Sequence, residues 1–250
     1  MSTGRLAGRI ALVTGVSRRA GIGYTVAERL QRLGASVFAS GWSDHDAEMP
    51  WGADDSELGI EVEQRNLEDP SSATALVDAA VDRYGRLDIV IAVHARSSRQ
   101  TLAQLTAFEL DRCWAANVRS VLLLAQRFAQ RHDTDRRGGR MLWFTSGQHI
   151  EPMADELPYA VTKGALHQMT ASVSDALIDK GIVANCINPG PVDTGYASGA
   201  AHADVARRFP GRSWGTPGHV ADLIEFLVSD EGEWIQGQVI NSEGGFRRWR

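Results

Sequence analysis

The feature that most constrains this chain is an alternation. Short apolar runs at 10–14, 36–40, 60–65, 87–93, 140–145, 183–187 and 238–241 are separated by amphipathic stretches of helical length at 22–33, 70–84, 103–131, 158–179 and 217–228. A run that is apolar at nearly every position suits a strand buried on both faces, and a helix between strands lets them lie parallel. The expected fold is α/β, a doubly wound seven-stranded parallel sheet with helices on both faces. Asp69-Pro70 and Thr216-Pro217 each place a capping side chain before a proline at the first helical position. With 250 residues the chain is expected to form a single domain over 1–250.

Composition matters mainly for what it excludes. A hydrophobic share of 43%, a charged share of 23% and a formal net charge of -5 argue against disorder and against a nucleic-acid partner. Cys113 and Cys186 lie far apart with no Cys/His cluster beside them, so neither a disulfide framework nor a metal site is expected. No apolar run approaches about 18 residues, and the first residues lack a signal-peptide core. The expectation is a cytoplasmic protein with no membrane association.

Two segments interrupt the alternation. Residues 42–57 are acidic and turn-rich, and residues 194–214 are rich in glycine with little clean periodicity. The second follows the sixth strand and should overhang the end of the sheet where ligands bind in such folds, which makes it the expected substrate lid. Its character is mixed, with Tyr196, Phe209 and Trp214 beside Arg207, Arg208 and Arg212.

After the first strand the chain reads Thr14-Gly15-Val16-Ser17-Arg18-Arg19-Ala20-Gly21-Ile22-Gly23 and opens a helix. Gly15 permits a sharp turn, Gly21 lets backbone approach a pyrophosphate, and Gly23 allows close packing of helix on strand. The helix N-terminus then presents free N–H groups and a positive dipole end to phosphate. In NAD enzymes of this architecture an acidic residue closes the second strand and binds the ribose hydroxyls. Here that position is Gly41, followed by Trp42. Gly41 leaves room for a 2′-phosphate, and Arg18 or Arg19 can pair with it as a planar fork, so NADP is expected over NAD. Asp44 and Asp46 keep NAD open as the alternative.

Pro158-Tyr159-Ala160-Val161-Thr162-Lys163 begins a helix, and the i, i+4 spacing puts Tyr159 and Lys163 on one face. Reducing a carbonyl requires a proton at oxygen as hydride reaches carbon, yet a free phenol has a pKa of about 10. An ammonium nearby favours the phenolate, which is the expected role of Lys163. Ser146 closes the fifth strand, where its hydroxyl can hold the substrate oxygen.

These motifs together resemble the short-chain dehydrogenase/reductase family, over nearly the whole chain, and in particular its 3-oxoacyl-acyl-carrier-protein reductases. The resemblance implies a Rossmann fold, reversible hydride transfer between nicotinamide and a carbonyl or secondary alcohol, and a catalytic tetrad of Asn117, Ser146, Tyr159 and Lys163. Asn117 matches the family asparagine that breaks a helix and holds a water linking the lysine to solvent. Asn188-Pro189-Gly190-Pro191-Val192-Asp193-Thr194 resembles the segment that orients the nicotinamide carboxamide, through Val192 and Thr194. Cofactor contacts are implied for Gly15, Ser17, Arg18, Arg19, Gly21, Ile22, Gly23, Gly41, Trp42, Asn66, Leu67, Ala92, His94, Tyr159, Lys163, Pro189, Gly190, Val192 and Thr194. Ser146, His149, Arg96 and Tyr196 are the expected substrate-side residues.

The chain also departs from the family pattern. Its glycine turn is two residues longer, similar in this to enoyl-acyl-carrier-protein reductases, although those enzymes space tyrosine and lysine further apart. Ala92-Val93-His94-Ala95 stands where the family has NNAG, and Asn66 stands where an acidic residue often meets the adenine. A dehalogenase-like relative, which would lack this turn and carry arginine for Lys163, and a cofactor-binding sensor with little turnover are the competing readings. The last helix and strand resemble the segment through which relatives form tetramers, with Ile224, Phe226, Leu227 and Val239 as contact residues, so a homotetramer is expected. The basic tail 246–250 matches nothing in the pattern.

Overall fold

The computed structural model describes residues 4–54, 56–135 and 138–248. Seven parallel strands form one sheet: β1 (Ile10–Thr14), β2 (Ser36–Gly41), β3 (Val62–Gln64), β4 (Ile89–Ala92), β5 (Gly139–Phe144), β6 (Ile182–Asn188) and β7 (Val239–Asn241). Their order is β3-β2-β1-β4-β5-β6-β7. β1 pairs in register with both β2 (Leu12 with Phe38) and β4 (Leu12 with Val90), so the winding reverses at β1 and a crevice opens beyond its carboxyl end. Every residue of β1, β4 and β5 is buried, as the continuous apolar runs require, while the short edge strands β3 and β7 are only partly covered.

The pleat sends alternate side chains into two cores. Leu12, Val90, Met141 and Trp143 face α3 (Ser72–Tyr84), α5 (Ser120–Arg131) and α6 (Leu157–Ile178). Ala11, Val13, Ile91 and Phe144 face α1 (Ile22–Arg32) and α8 (Pro217–Val228) on the other side. Trp143, the largest fully buried side chain, satisfies its indole N–H on the Leu166 carbonyl at 3.2 Å. Burying a large apolar side chain contributes about 1.5–3 kcal/mol, so each core is a substantial source of stability.

Four local expectations change. The helix expected over 103–131 begins at Ala107, with the Thr106 hydroxyl accepting from the Glu109 N–H at 3.2 Å; it runs as α4 (Ala107–Trp114), a π-helical turn (Ala115–Arg119) and α5. Asp69 caps the Ser71 N–H and hydroxyl, both at 2.8 Å, so α3 starts at Ser72 rather than Pro70. The acidic segment holds a short helix, α2 (Ser43–Glu48), and the overhanging segment holds α7 (Gly199–Arg208). Thr216 does cap α8, in a reciprocal box with His219. Of the residues expected at a subunit contact, Ile224 and Leu227 are in the core and Val239 packs against it, whereas Phe226 is 41% exposed.

Among the described residues no helix is long and apolar enough to cross a membrane.

Candidate functional site

A cleft of about 310 Å³ lies beyond the carboxyl ends of the central strands. The glycine turn supplies Gly15, Ser17, Arg18, Gly21, Ile22 and Gly23; Gly41 and Trp42 come from the end of β2, Asn66 and Leu67 follow β3, and Tyr159 and Thr194 complete the far end. The turn is close-packed backbone. Gly15 has a φ of 77°, and a Cβ there would fall 2.7 Å from the His94 nitrogen. α1 carries neither a side-chain cap nor an acidic residue in its first turn, which leaves its positive end directed at the cleft. An uncapped helix start on a wall without side chains fits the pyrophosphate of a dinucleotide.

Gly41 has a different reason to be glycine than room for a phosphate. A Cβ there would lie 2.3 Å from the Val16 carbonyl oxygen, so β2 and the turn could not pack. Arg18 lines the cleft, donates to the Thr194 carbonyl at 2.5 Å and lies 5.7 Å from the centre of the Trp51 ring. Arg19 turns away: its guanidinium donates to the Glu57 carbonyl and stacks on Tyr24, outside the cleft lining. Asp44 is exposed, and buried Asp46 accepts from the Trp51 indole at 2.8 Å. Arg65 and Trp51 also line the cleft, and neither was expected. Arg65 directly follows β3, a position at the carboxyl edge that was a usable signal.

Three further residues depart from expectation. Ala92 is buried in the core facing α3 and α5 and does not line the cleft. His94 lines it as a brace: its Nδ1 meets the Thr14 hydroxyl at 2.6 Å, and its Nε2 meets Ser120 Oγ at 2.8 Å and the Ala116 carbonyl at 3.0 Å. Loss of water around the ring and the nearby positive Lys163 push its pKa down to about 3, so it is neutral. Arg96, expected toward the substrate, lines the cleft within a cluster of glutamates. It is 7% exposed, held by Glu109 at 3.0 Å, Glu68 at 3.3 Å and Glu48 at 3.4 Å.

At the other end of the cleft, α6 presents Tyr159 and Lys163 one turn apart. Lys163 is 2% exposed, donates to the Phe144 carbonyl at 2.8 Å and lies 5.4 Å from the Tyr159 ring centre. Burial lowers its pKa to about 8, partly opposed by the Cys186 sulfur, so it is mostly charged at neutral pH. The Tyr159 phenol is moved up by burial, and its hydrogen bond with Ser146 acts in the opposite direction. Burial thus acts on the phenol in the direction opposite to the lowering expected from Lys163.

Asn117 sits in the π-helical turn, and its side chain ties elements together. Its Oδ1 accepts from the Arg96 N–H at 2.6 Å, and its Nδ2 donates to the Arg96 carbonyl at 3.0 Å and to Thr162 Oγ1 at 2.9 Å. That fixes the loop after β4 against α6. His149 is exposed and packs edge-on with His167, ring centres 4.4 Å apart. Tyr196 packs edge-on with Trp214, which stacks on His202. Val192 is buried beside α8, Gly190 packs on Glu243, Pro189 is half-buried, and a bridge from Val192 to Gly215 closes the neck of the 194–214 segment.

Comparison with known proteins agrees with this geometry. The family described as Enoyl-(Acyl carrier protein) reductase matches residues 15–247. An uncharacterized oxidoreductase of Bacillus subtilis is 36% identical, covering 96% of this chain and 97% of its own. A short-chain type dehydrogenase/reductase of Picea abies is 34% identical, over 96% and 93%. A short chain dehydrogenase from Burkholderia cenocepacia, solved in complex with NADP, superposes with a TM-score of 0.83 at 32% identity, over 96% of this chain and 98% of that one. The sheet order, the glycine turn and this likeness along the chain place the protein in the short-chain dehydrogenase/reductase family, as an oxidoreductase.

Proposed function

We propose that this protein is an NADPH-dependent carbonyl reductase, working reversibly between a small carbonyl compound, a 3-oxoacyl thioester among the candidates, and the secondary alcohol. The observation that carries the reading is geometric: Tyr159 lines the end of the cleft that the glycine turn opens, with buried Lys163 5.4 Å from its ring on the same face of α6. Nicotinamide, when bound, supplies or accepts the hydride. Ser146 holds the substrate oxygen, Tyr159 donates its proton to it, and the Lys163 charge stabilises the phenolate left behind. Asn117 keeps α6 and the loop after β4 in register. Gly15, Ser17, Gly21, Ile22 and Gly23 take the pyrophosphate; Trp42, Asn66, Leu67 and His94 line the adenosine half; Pro189, Gly190, Val192 and Thr194 take the nicotinamide end. Arg18, with Arg65 close by, supports NADPH over NADH, in keeping with the NADP-bound relative. Residues 194–214 act as the lid, with Tyr196 and His149 toward the substrate.

The test is steady-state turnover of NADPH across a panel of ketones. Tyr159→Phe should lower kcat by about 10²–10⁴-fold while leaving NADPH binding almost unchanged, because proton transfer alone is removed. Turnover like that of the wild type in this variant overturns the assignment. A cytoplasmic homotetramer belongs to the same reading, supported by Phe226 at 41% and Trp234 at 94% exposure near the last strand. Light scattering should read four chains, and a monomeric mass would refute it.

A further inference from the structure

The tail after β7 folds back onto the wall of the substrate end. The Arg248 side chain is 10% exposed; its Nε donates to both Glu243 oxygens, at 3.1 and 3.3 Å, and its Nη1 to Glu151 at 3.4 Å. The guanidinium fills the space beside Gly147, where a Cβ would fall 2.2 Å from Arg248 Cζ. Gly147 directly follows Ser146. Glu243 in turn accepts from Asn188 Nδ2 at 2.9 Å, and its Cα lies 2.8 Å from where a Cβ on Gly190 would be.

The same cluster reaches the overhanging segment. Arg208, the last residue of α7, donates to Glu151 at 2.8 Å, to the Arg247 carbonyl at 2.9 Å and to the Arg248 carbonyl at 2.8 Å. Both guanidinium groups flank Phe246, at 4.5 and 5.1 Å from its ring centre, and Phe246 packs on Phe209. α7 buries none of its own residues, so these contacts and the Trp214–His202 stack hold it. Arg208 and Arg248 are balanced by Glu151 and Glu243, so the cluster has no spare charge for an anionic substrate. It holds segments together.

We propose that Arg248 is a positioning residue. Its fork fixes the Ser146–Gly147 turn against the Asn188–Gly190 segment and α7, and so sets the place of the substrate oxygen. The proposal rests on the assignment of Ser146 and Tyr159 above. Arginine suits the task because one planar group bridges two carboxylates that come from distant parts of the chain.

The experiment uses the full chain and two readouts: ketone reduction with NADPH, and backbone hydrogen exchange, which needs no substrate. Arg248→Ala should lower kcat/KM about 10–100-fold, the scale expected when a reacting group is slightly misplaced. NADPH affinity should fall less than kcat/KM, and exchange should speed up at 146–151 and 199–208 together but not in α3. Arg248→Lys should recover part of both losses. Gly147→Ala, which keeps all four charges and displaces the guanidinium, should reproduce the local exchange change, and it should add little in the Arg248→Ala background. Unchanged kcat/KM and unchanged exchange at 146–151 in Arg248→Ala overturn the proposal. If Arg248→Ala loses protection throughout, Gly147→Ala decides: a local change supports the proposal, and no change overturns it. Tyr159→Phe run alongside separates the two ideas, since turnover surviving there overturns the function while the exchange data still judge the tail.

Discussion

The two ends of the cleft are held by different kinds of contact. At the Tyr159 end Lys163, Asn117 and Thr162 are all buried, and their hydrogen bonds of 2.6–3.0 Å tie β5, α6 and the π-helical turn to one another and to the backbone of the loop after β4. At the dinucleotide end half-buried Arg18 reaches to the carbonyl of Thr194 in a neighbouring loop and rests on Trp51. Groups that must match a transition state are fixed by rigid elements. Groups that serve ground-state binding are long side chains on adaptable segments. Damage at the first end should therefore appear in kcat, and damage at the second in cofactor affinity.

The largest effect that would sharpen this contrast is at Lys163. Lys163→Met should lower kcat about 10²-fold, with a smaller loss of NADPH affinity, because the lost charge acts mainly on the phenolate formed during reaction. Burial lowers the lysine pKa to about 8, so wild-type kcat should fall as pH rises through 8, and that limb should vanish in the variant. Stability should move the opposite way. Between about 8 and 10.5 the unfolded chain keeps a proton that the folded chain has released, so folding becomes more favourable as pH rises. A pH profile that keeps its basic limb in Lys163→Met would break the argument.

A smaller effect is expected at Arg18. Arg18→Ala should weaken NADPH binding about tenfold, affect NADH much less, and leave kcat at saturating cofactor near that of the wild type. The difference between the two cofactors should shrink at high salt, since Arg18 is partly solvent-facing. Binding measured by fluorescence titration checks it, and equal losses for NADPH and NADH would remove Arg18 from 2′-phosphate recognition.

How much was legible follows the same division. β1 and β5 were read within a residue, because strands buried on both faces must be apolar throughout. Tyr159 and Lys163 were read as neighbours because helix geometry makes residues four apart meet. A helix break at Asn117 was implied by the resemblance, but its π-helical form was not legible: its partners Arg96 and Thr162 are 21 and 45 positions away, and those tertiary bonds favour the widened turn. The surroundings of Arg96 were not legible either, because position after β4 does not reveal that three glutamates from elsewhere surround it. Gly41 was read as room for a ligand, yet its space is filled by the Val16 carbonyl.

By itself the sequence determined the parallel sheet, the glycine turn and the tyrosine–lysine pair, since each depends on periodicity or spacing over a few residues. Only the tertiary structure decided the burial of Tyr159 and Lys163, the brace at His94 and the bridge that Arg248 makes between Glu151 and Glu243. Burial depends on what the rest of the chain stacks around a group, and Arg248 meets Glu151 across 97 positions of sequence. No local pattern carries that information, because desolvation and ion pairing arise only once distant segments have been brought together.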